Sequence, residues 1–180
     1  MTDPATDDLE AWLDTPEPGW TWVAPPPSMA IQSFVSGDAN DGRLRVRYFR
    51  PGSEAGLNAK VWFGPAAQGP PGHAHGGSMA AVLDEVMGGA AWAAGHACVA
   101  AQLTTHFRAM LPLESRCVVE ARVASVEGRK VRVEATLGDG DGVVYAEGTA
   151  LFIEIDPERF GDLASKAAAL LGGSAKPGPA

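Results

Sequence analysis

Cysteine, tyrosine and histidine are scarce in this chain of 180 residues, which holds two, two and four of them. Cys98 and Cys117 are too few and too far apart for a zinc knuckle, and the expectation for them is a pair of buried thiols. Basic residues are also short. Fourteen lysines and arginines face 22 acids, and the net charge of −8 argues against a nucleic-acid partner, which needs a basic footprint. No apolar run reaches the roughly 20 residues of a membrane span, so no membrane partner is expected. A secretory signal would be basic and then apolar at its start. Asp3, Asp7, Asp8 and Glu10 make this start acidic, so the expected location is cytoplasmic. The residues call for no cofactor and no metal.

What the chain does have is a run from His75 to Met87, His-Gly-Gly-Ser-Met-Ala-Ala-Val-Leu-Asp-Glu-Val-Met, that continues without proline to Ala94. Met79, Val82, Leu83, Val86 and Met87 recur at helical spacing, with alanines between them. Such a pattern is apolar nearly all round and predicts a helix buried on most faces. Asp84 and Glu85 in its interior need a reason, because an unpaired buried carboxylate costs several kcal/mol or gives up its charge. At the helix start, Gly76 and Gly77 allow close approach of backbone, and the free N–H groups there carry about half a positive charge. A helix end that stabilises an oxyanion and a carboxylate two turns on are two parts of an acyl-transfer site.

Around that helix the chain reads as strands. Residues 1–28 form a Pro/Trp-rich arm with a helical turn or two at Leu9–Leu13, and Trp12, Trp20 and Trp22 are expected to pin it to the domain surface. Residues 29–156 form the domain proper. From Arg43 to Arg50 the alternation puts Arg43, Arg45 and Arg47 on one face of a half-buried strand. A solvated face is expected for that row, with phosphate contact as the alternative. Asn58–Phe63 is a second strand, and a loop from Gly64 to Gly72 leads to His73-Ala74-His75. Beyond Gly95, four antiparallel strands are expected, at Val99–Phe107, Arg116–Val126, Lys130–Leu137 and Val143–Ile155, with a hairpin turn at Asp139-Gly140-Asp141-Gly142. Residues 157–180 are expected to form an alanine-rich helix to about Leu171 and then a disordered tail. One helix apolar all round, with only strands to cover it, predicts an α+β domain in which a curved antiparallel sheet wraps a central helix.

That architecture resembles the hotdog fold. Gly72-His73-Ala74-His75-Gly76-Gly77-Ser78-Met79-Ala80-Ala81-Val82-Leu83-Asp84-Glu85 resembles the His-Gly-Gly signature of the hotdog acyl-CoA thioesterases, of the phenylacetate-pathway and mitochondrial carboxyl-terminal-modulator types. Val126–Lys130 and Tyr145–Ile153 resemble a strand-turn-strand and closing strand of the second type. The resemblance covers residues 43–155. It implies acyl-CoA as substrate, water as co-substrate, and a homodimer or dimer of dimers. Gly76 would donate its N–H to the thioester carbonyl, and Asp84 would act as general base or nucleophile. His75 completes the candidate catalytic set, with the expected part of shaping the turn by bonding backbone. Gly77 and His73 would line the substrate beside it. Arg129 and Lys130 match a turn that lies near the coenzyme A nucleotide in such proteins.

Two positions depart from the resemblance. A Ser or Thr on the strand after the helix is replaced by Ala100, and a water-orienting Asn six residues before the histidine is replaced by Gly69. Gln102 and Thr104, two and four residues past Ala100, are expected on its face as substitutes. Glu85, about 100° round the helix from Asp84, is expected to meet solvent or a salt bridge. Other readings are weaker. His73, His75 and Asp84 are a poor metal set, since the carboxylate lies two turns past the histidines. Ser78 lacks a Gly-x-Ser-x-Gly elbow. A non-catalytic acyl-CoA-binding module is the alternative function, and a hotdog dehydratase is disfavoured for want of the Asp and His spacing of hydratases.

Overall fold

A computed structural model of the chain describes residues 4–23, 33–36, 42–52 and 56–156. A helix α1 (Pro4–Asp14) and a short strand β1 (Trp20–Trp22) come first, then β2 (Leu44–Pro51) and β3 (Gly56–Phe63). The long helix α2 (Gly76–Ala93) precedes β4 (Cys98–Phe107), β5 (Arg116–Glu127), β6 (Lys130–Gly138) and β7 (Val144–Glu154). All seven strands form one antiparallel sheet in the order β1-β2-β3-β5-β6-β7-β4. The sheet wraps α2, as expected of a hotdog fold. The expected helix and tail at 157–180 lie outside the described residues.

Alternation along the strands decides the faces. On β6, Val131, Val133, Ala135 and Leu137 turn inward and are buried, and Arg132 and Thr136 between them are exposed. Inward residues of β2, β3, β5 and β7 meet Val82, Leu83, Val86 and Met87 of α2, which have no exposed surface. Burying a side chain of that size contributes about 1.5–3 kcal/mol, so this helix-to-sheet contact is a large source of stability. Between β5 and β6 the connection is only Gly128-Arg129, with Glu127 opposite Lys130. Gly128 at φ +57 takes the left-handed first position that such a two-residue turn needs.

The arm is more firmly held than surface tryptophans alone would make it. Trp20–Trp22 pairs with Phe49–Pro51 as an edge strand, and Trp20 lies against Phe49 with ring centroids 5.7 Å apart. The helix α1 is longer than one or two turns and buries Leu9 and Leu13. Its acids meet the arginine row of β2: Glu10 pairs with Arg45 and Arg47, and Asp14 with Arg47 at 2.7 Å. Arg45 and Arg47 therefore face neither open solvent nor phosphate. The signal for this was the acids of the arm themselves, which no local periodicity connects to residues more than 30 positions away.

Candidate active site

The helix α2 begins at a built cap. His75, extended at φ −67 and ψ 133, accepts the Gly77 N–H on its Nδ1 at 2.8 Å. Ser78 donates its hydroxyl to the His75 carbonyl at 2.7 Å, so its oxygen serves the cap. His73 faces the Pro71 carbonyl through Nδ1 at 2.9 Å. The cap leaves the Gly76 N–H without an acceptor among the described residues. Gly76 and His73 line a shallow hollow of about 330 Å³ with Met79, Phe107 and Met110. Gly77 is exposed beside it.

Gly69 runs so close to the helix start that a Cβ there would stand 2.7 Å from the His75 Cα. The contact is with backbone and cannot be relieved by a rotamer change. An Asn at this position would displace the cap, which is the physical reason for a glycine here.

Asp84 lies in a different hollow of about 300 Å³, walled by Phe34, Ala81, Gly88, Trp92, Ala100 and Phe152. One of its oxygens, Oδ1, is buried with no hydrogen-bond partner among the described residues. Burial raises its proton affinity above the usual carboxylate range, and the charge of Glu85 raises it further. This is the electrostatic setting of a general base. Glu85 is half-buried and meets no cation among the described residues, where solvent or a salt bridge was expected. It accepts hydrogen bonds from the Tyr48 and Ser33 hydroxyls. Sequence reasoning missed both donors, which lie 37 and 52 residues away.

The position of the strand hydroxyls needs a correction. On β4 the register against β7 shifts between Ala100, opposite Phe152, and Gln102, opposite Leu151. Ala101 is thus a bulge, and a bulge inverts the faces beyond it. Ala100 faces α2, but Gln102 and Thr104 turn outward to line a groove with Arg132 and Glu134. They do not join the Asp84 hollow. On the inward side beyond the bulge stand Leu103, Thr105 and Phe107, and Thr105 Oγ1 is buried without a partner among the described residues. Period-two counting cannot see this, because two alanines in a row carry no bulge signal.

Arg129 and Lys130 are exposed at the β5–β6 turn. Arg129 donates from Nε and Nη2 to the Glu154 carbonyl at 3.1 and 2.7 Å, so part of its guanidinium is occupied. Cys98 and Cys117 are free and buried, and burial pushes their thiols up to about 11 and about 12.

The fold is the hotdog fold shared by solved thioesterase-superfamily proteins. Residues 71–146, which contain both hollows' α2 residues, match the model of the thioesterase superfamily. Among curated proteins, the acyl-coenzyme A thioesterase THEM4 of Mus musculus is 40% identical over 93 residues, covering 51% of this chain and 40% of that protein. The acyl-coenzyme A thioesterase THEM5 of Homo sapiens is 28% identical over 138 residues, covering 69% of this chain and 56% of that protein. The chain thus spans about half the length, or less, of the curated relatives it matches. Among solved structures, a thioesterase superfamily protein matches with 32% identity and a TM-score of 0.58, over 61% of this chain and 54% of the other. The Escherichia coli PaaI protein from the phenylacetic acid degradation operon shares the fold, at 14% identity and a TM-score of 0.56 over 63% of this chain and 80% of the other.

Proposed function

We propose that this chain hydrolyses the thioester of an acyl-CoA to a carboxylic acid and free coenzyme A. The observation that carries the reading is Asp84: a carboxyl with a bare buried oxygen and a raised proton affinity, in a hollow on the central helix. The relatives named as acyl-coenzyme A thioesterases support the substrate class. In this reading the Gly76 N–H and the positive end of α2 meet the charge that develops on the thioester oxygen. Asp84 takes the proton of the attacking water, or attacks the carbonyl itself. The exposed Lys130 and the free part of Arg129 offer positive charge to the coenzyme A phosphates.

Both groups cannot serve one carbonyl within a single chain. Eight residues separate Gly76 from Asp84, roughly 12 Å at 1.5 Å per residue, and the two line hollows with no residue in common. The reading therefore joins Gly76 of one subunit to Asp84 of another across a two-fold axis, with two sites per dimer. Strand β4 supports this. Among the described residues it is a sheet edge with an unpaired side, and Val99, Leu103, Phe107 and nearby Met110 are exposed there.

The test is release of free thiol from a panel of acyl-CoAs by wild type and Asp84→Asn. Asparagine keeps the size but cannot take a proton. Loss of a base typically lowers the rate about 10²- to 10⁴-fold, and a lost nucleophile lowers it more, with acyl-CoA binding retained. Wild-type turnover that survives Asp84→Asn would remove Asp84 from the reaction. A wild type that binds acyl-CoA and releases no thiol would make the chain a binding module, for which the missing hydroxyl at Ala100 is the favouring observation.

A further inference from the structure

The hollow that holds Asp84 contains a second carboxylate, Glu85, for which hydrolysis as set out above has no use. Its two oxygens are held from two separate elements. The Tyr48 hydroxyl of β2 donates to Oε1, and the Ser33 hydroxyl, in the turn 33–36, donates to Oε2. Neither donor is a chance surface group. Tyr48 is 3% exposed, and the turn is anchored by Val35, 6% exposed, in the core. Ser33 Oγ in turn accepts the N–H groups of Val35 and Ser36 at 3.2 and 3.4 Å. Glu85 thus ties the turn to α2, and Phe34 of that turn forms one wall of the Asp84 hollow.

Hydroxyl donors fix a carboxylate without cancelling its charge, as a lysine or arginine would. Glu85 therefore presents a fixed negative charge to its neighbour in a partly buried space, where charges act more strongly than in water. Other ionisable groups packed around the hollow do less. The Cys98 thiol of β4, raised to about 11, and the buried Tyr48 phenol of β2, raised well above its usual value, are neutral near pH 7. Glu154 of β7, beside Cys98, is bonded to the His96 ring at 2.6 Å.

We propose that Glu85 is a positioning residue of this site: pinned by Tyr48 and Ser33, it fixes a negative charge beside Asp84 and holds the turn that walls the hollow. The catalytic half of this inference rests on the thioesterase reading, while the coupling of the two carboxylates does not. The raised proton affinity of Asp84 has the Glu85 charge among its causes, after burial.

Two measurements on wild type, Glu85→Gln and Glu85→Asp test it: the pH profile of kcat/KM for an acyl-CoA, and carbon-13 titration of the Asp84 carboxyl by NMR. Glutamine keeps the shape and removes the charge. It should move both the acidic limb of the profile and the Asp84 midpoint to lower pH. Aspartate keeps the charge on an arm too short to reach both hydroxyls. It should leave the midpoint near that of wild type and lower kcat/KM at the plateau. An Asp84 midpoint that stays in place in Glu85→Gln overturns the proposal, whether or not any thioester is cleaved. Absence of thiol release by wild type would overturn the thioesterase reading alone, because the NMR titration still decides the coupling.

Discussion

Asp84 is where function and stability oppose each other. Its folded-state proton affinity is raised, so between the ordinary carboxylate range and that raised value the folded chain binds a proton that the unfolded chain does not. Folding is favoured by this group at low pH, and the contribution is lost as pH rises through the folded-state midpoint. Above that midpoint the ionised Asp84 is therefore a cost to the fold. Asp84→Asn, which does not titrate, should melt at a higher temperature than wild type at pH 7, and the gap should close as pH falls below 4. Thermal melts across that pH range read the effect directly, and equal melting temperatures at pH 7 would mean that Asp84 carries no strain. Active sites commonly hold such a trade between stability and chemistry.

Among the elements, α1 is held by side chains far from it in the sequence. Exposed ion pairs such as Arg47–Asp14 contribute little each, about 0–1 kcal/mol. The stronger hold is Lys60 of β3, which is 2% exposed. Its Nζ donates to the Thr15 carbonyl at 2.7 Å and the Trp12 carbonyl at 3.3 Å, and pairs with Glu17 at 2.7 Å. It also stands 4.9 Å from the centre of the Trp12 ring, against which Arg116 packs as well. Lysine at the carboxyl end of a helix satisfies carbonyls that the helix leaves open. Lys60→Met keeps the apolar stem and removes the donor, and should loosen α1 by roughly 1–3 kcal/mol. Hydrogen exchange should then show amides of residues 8–15 losing protection while those of α2 keep theirs. Unchanged protection in α1 would show that Leu9 and Leu13 hold the helix unaided.

For the whole molecule the decisive question is whether a site is shared between chains. Gly76→Pro removes the one N–H assigned to the oxyanion. Proline is tolerated at the first position of a helix, and His75 already has the extended backbone that a following proline requires. A Cβ at Gly76 would come 3.1 Å from the Phe107 Cζ, the far end of a side chain that is half exposed and can turn aside. Gly76→Pro and Asp84→Asn should each be inactive alone. Mixed and allowed to exchange subunits, they should recover about a quarter of wild-type activity, because half the dimers are mixed and each mixed dimer keeps one intact site. A site within one chain would recover nothing.

The sequence by itself determined the central helix, the strands around it and the faces of most of them. It also located the cap at His75 and the separation of Gly76 from Asp84 along one helix. These are local properties, since a helix that is apolar all round or a strand of alternating character is legible in ten or twelve consecutive residues. Tertiary structure alone decided what joins distant residues. It set α1 against the arginine row of β2, gave Glu85 its two hydroxyl donors, and pressed Gly69 against His75. It also decided which hydroxyls of β4 face the helix, because a bulge at Ala101 shifts the register by one residue. The inversion follows from pairing with β7, some 50 residues away, and a strand read alone has no partner against which its register can slip.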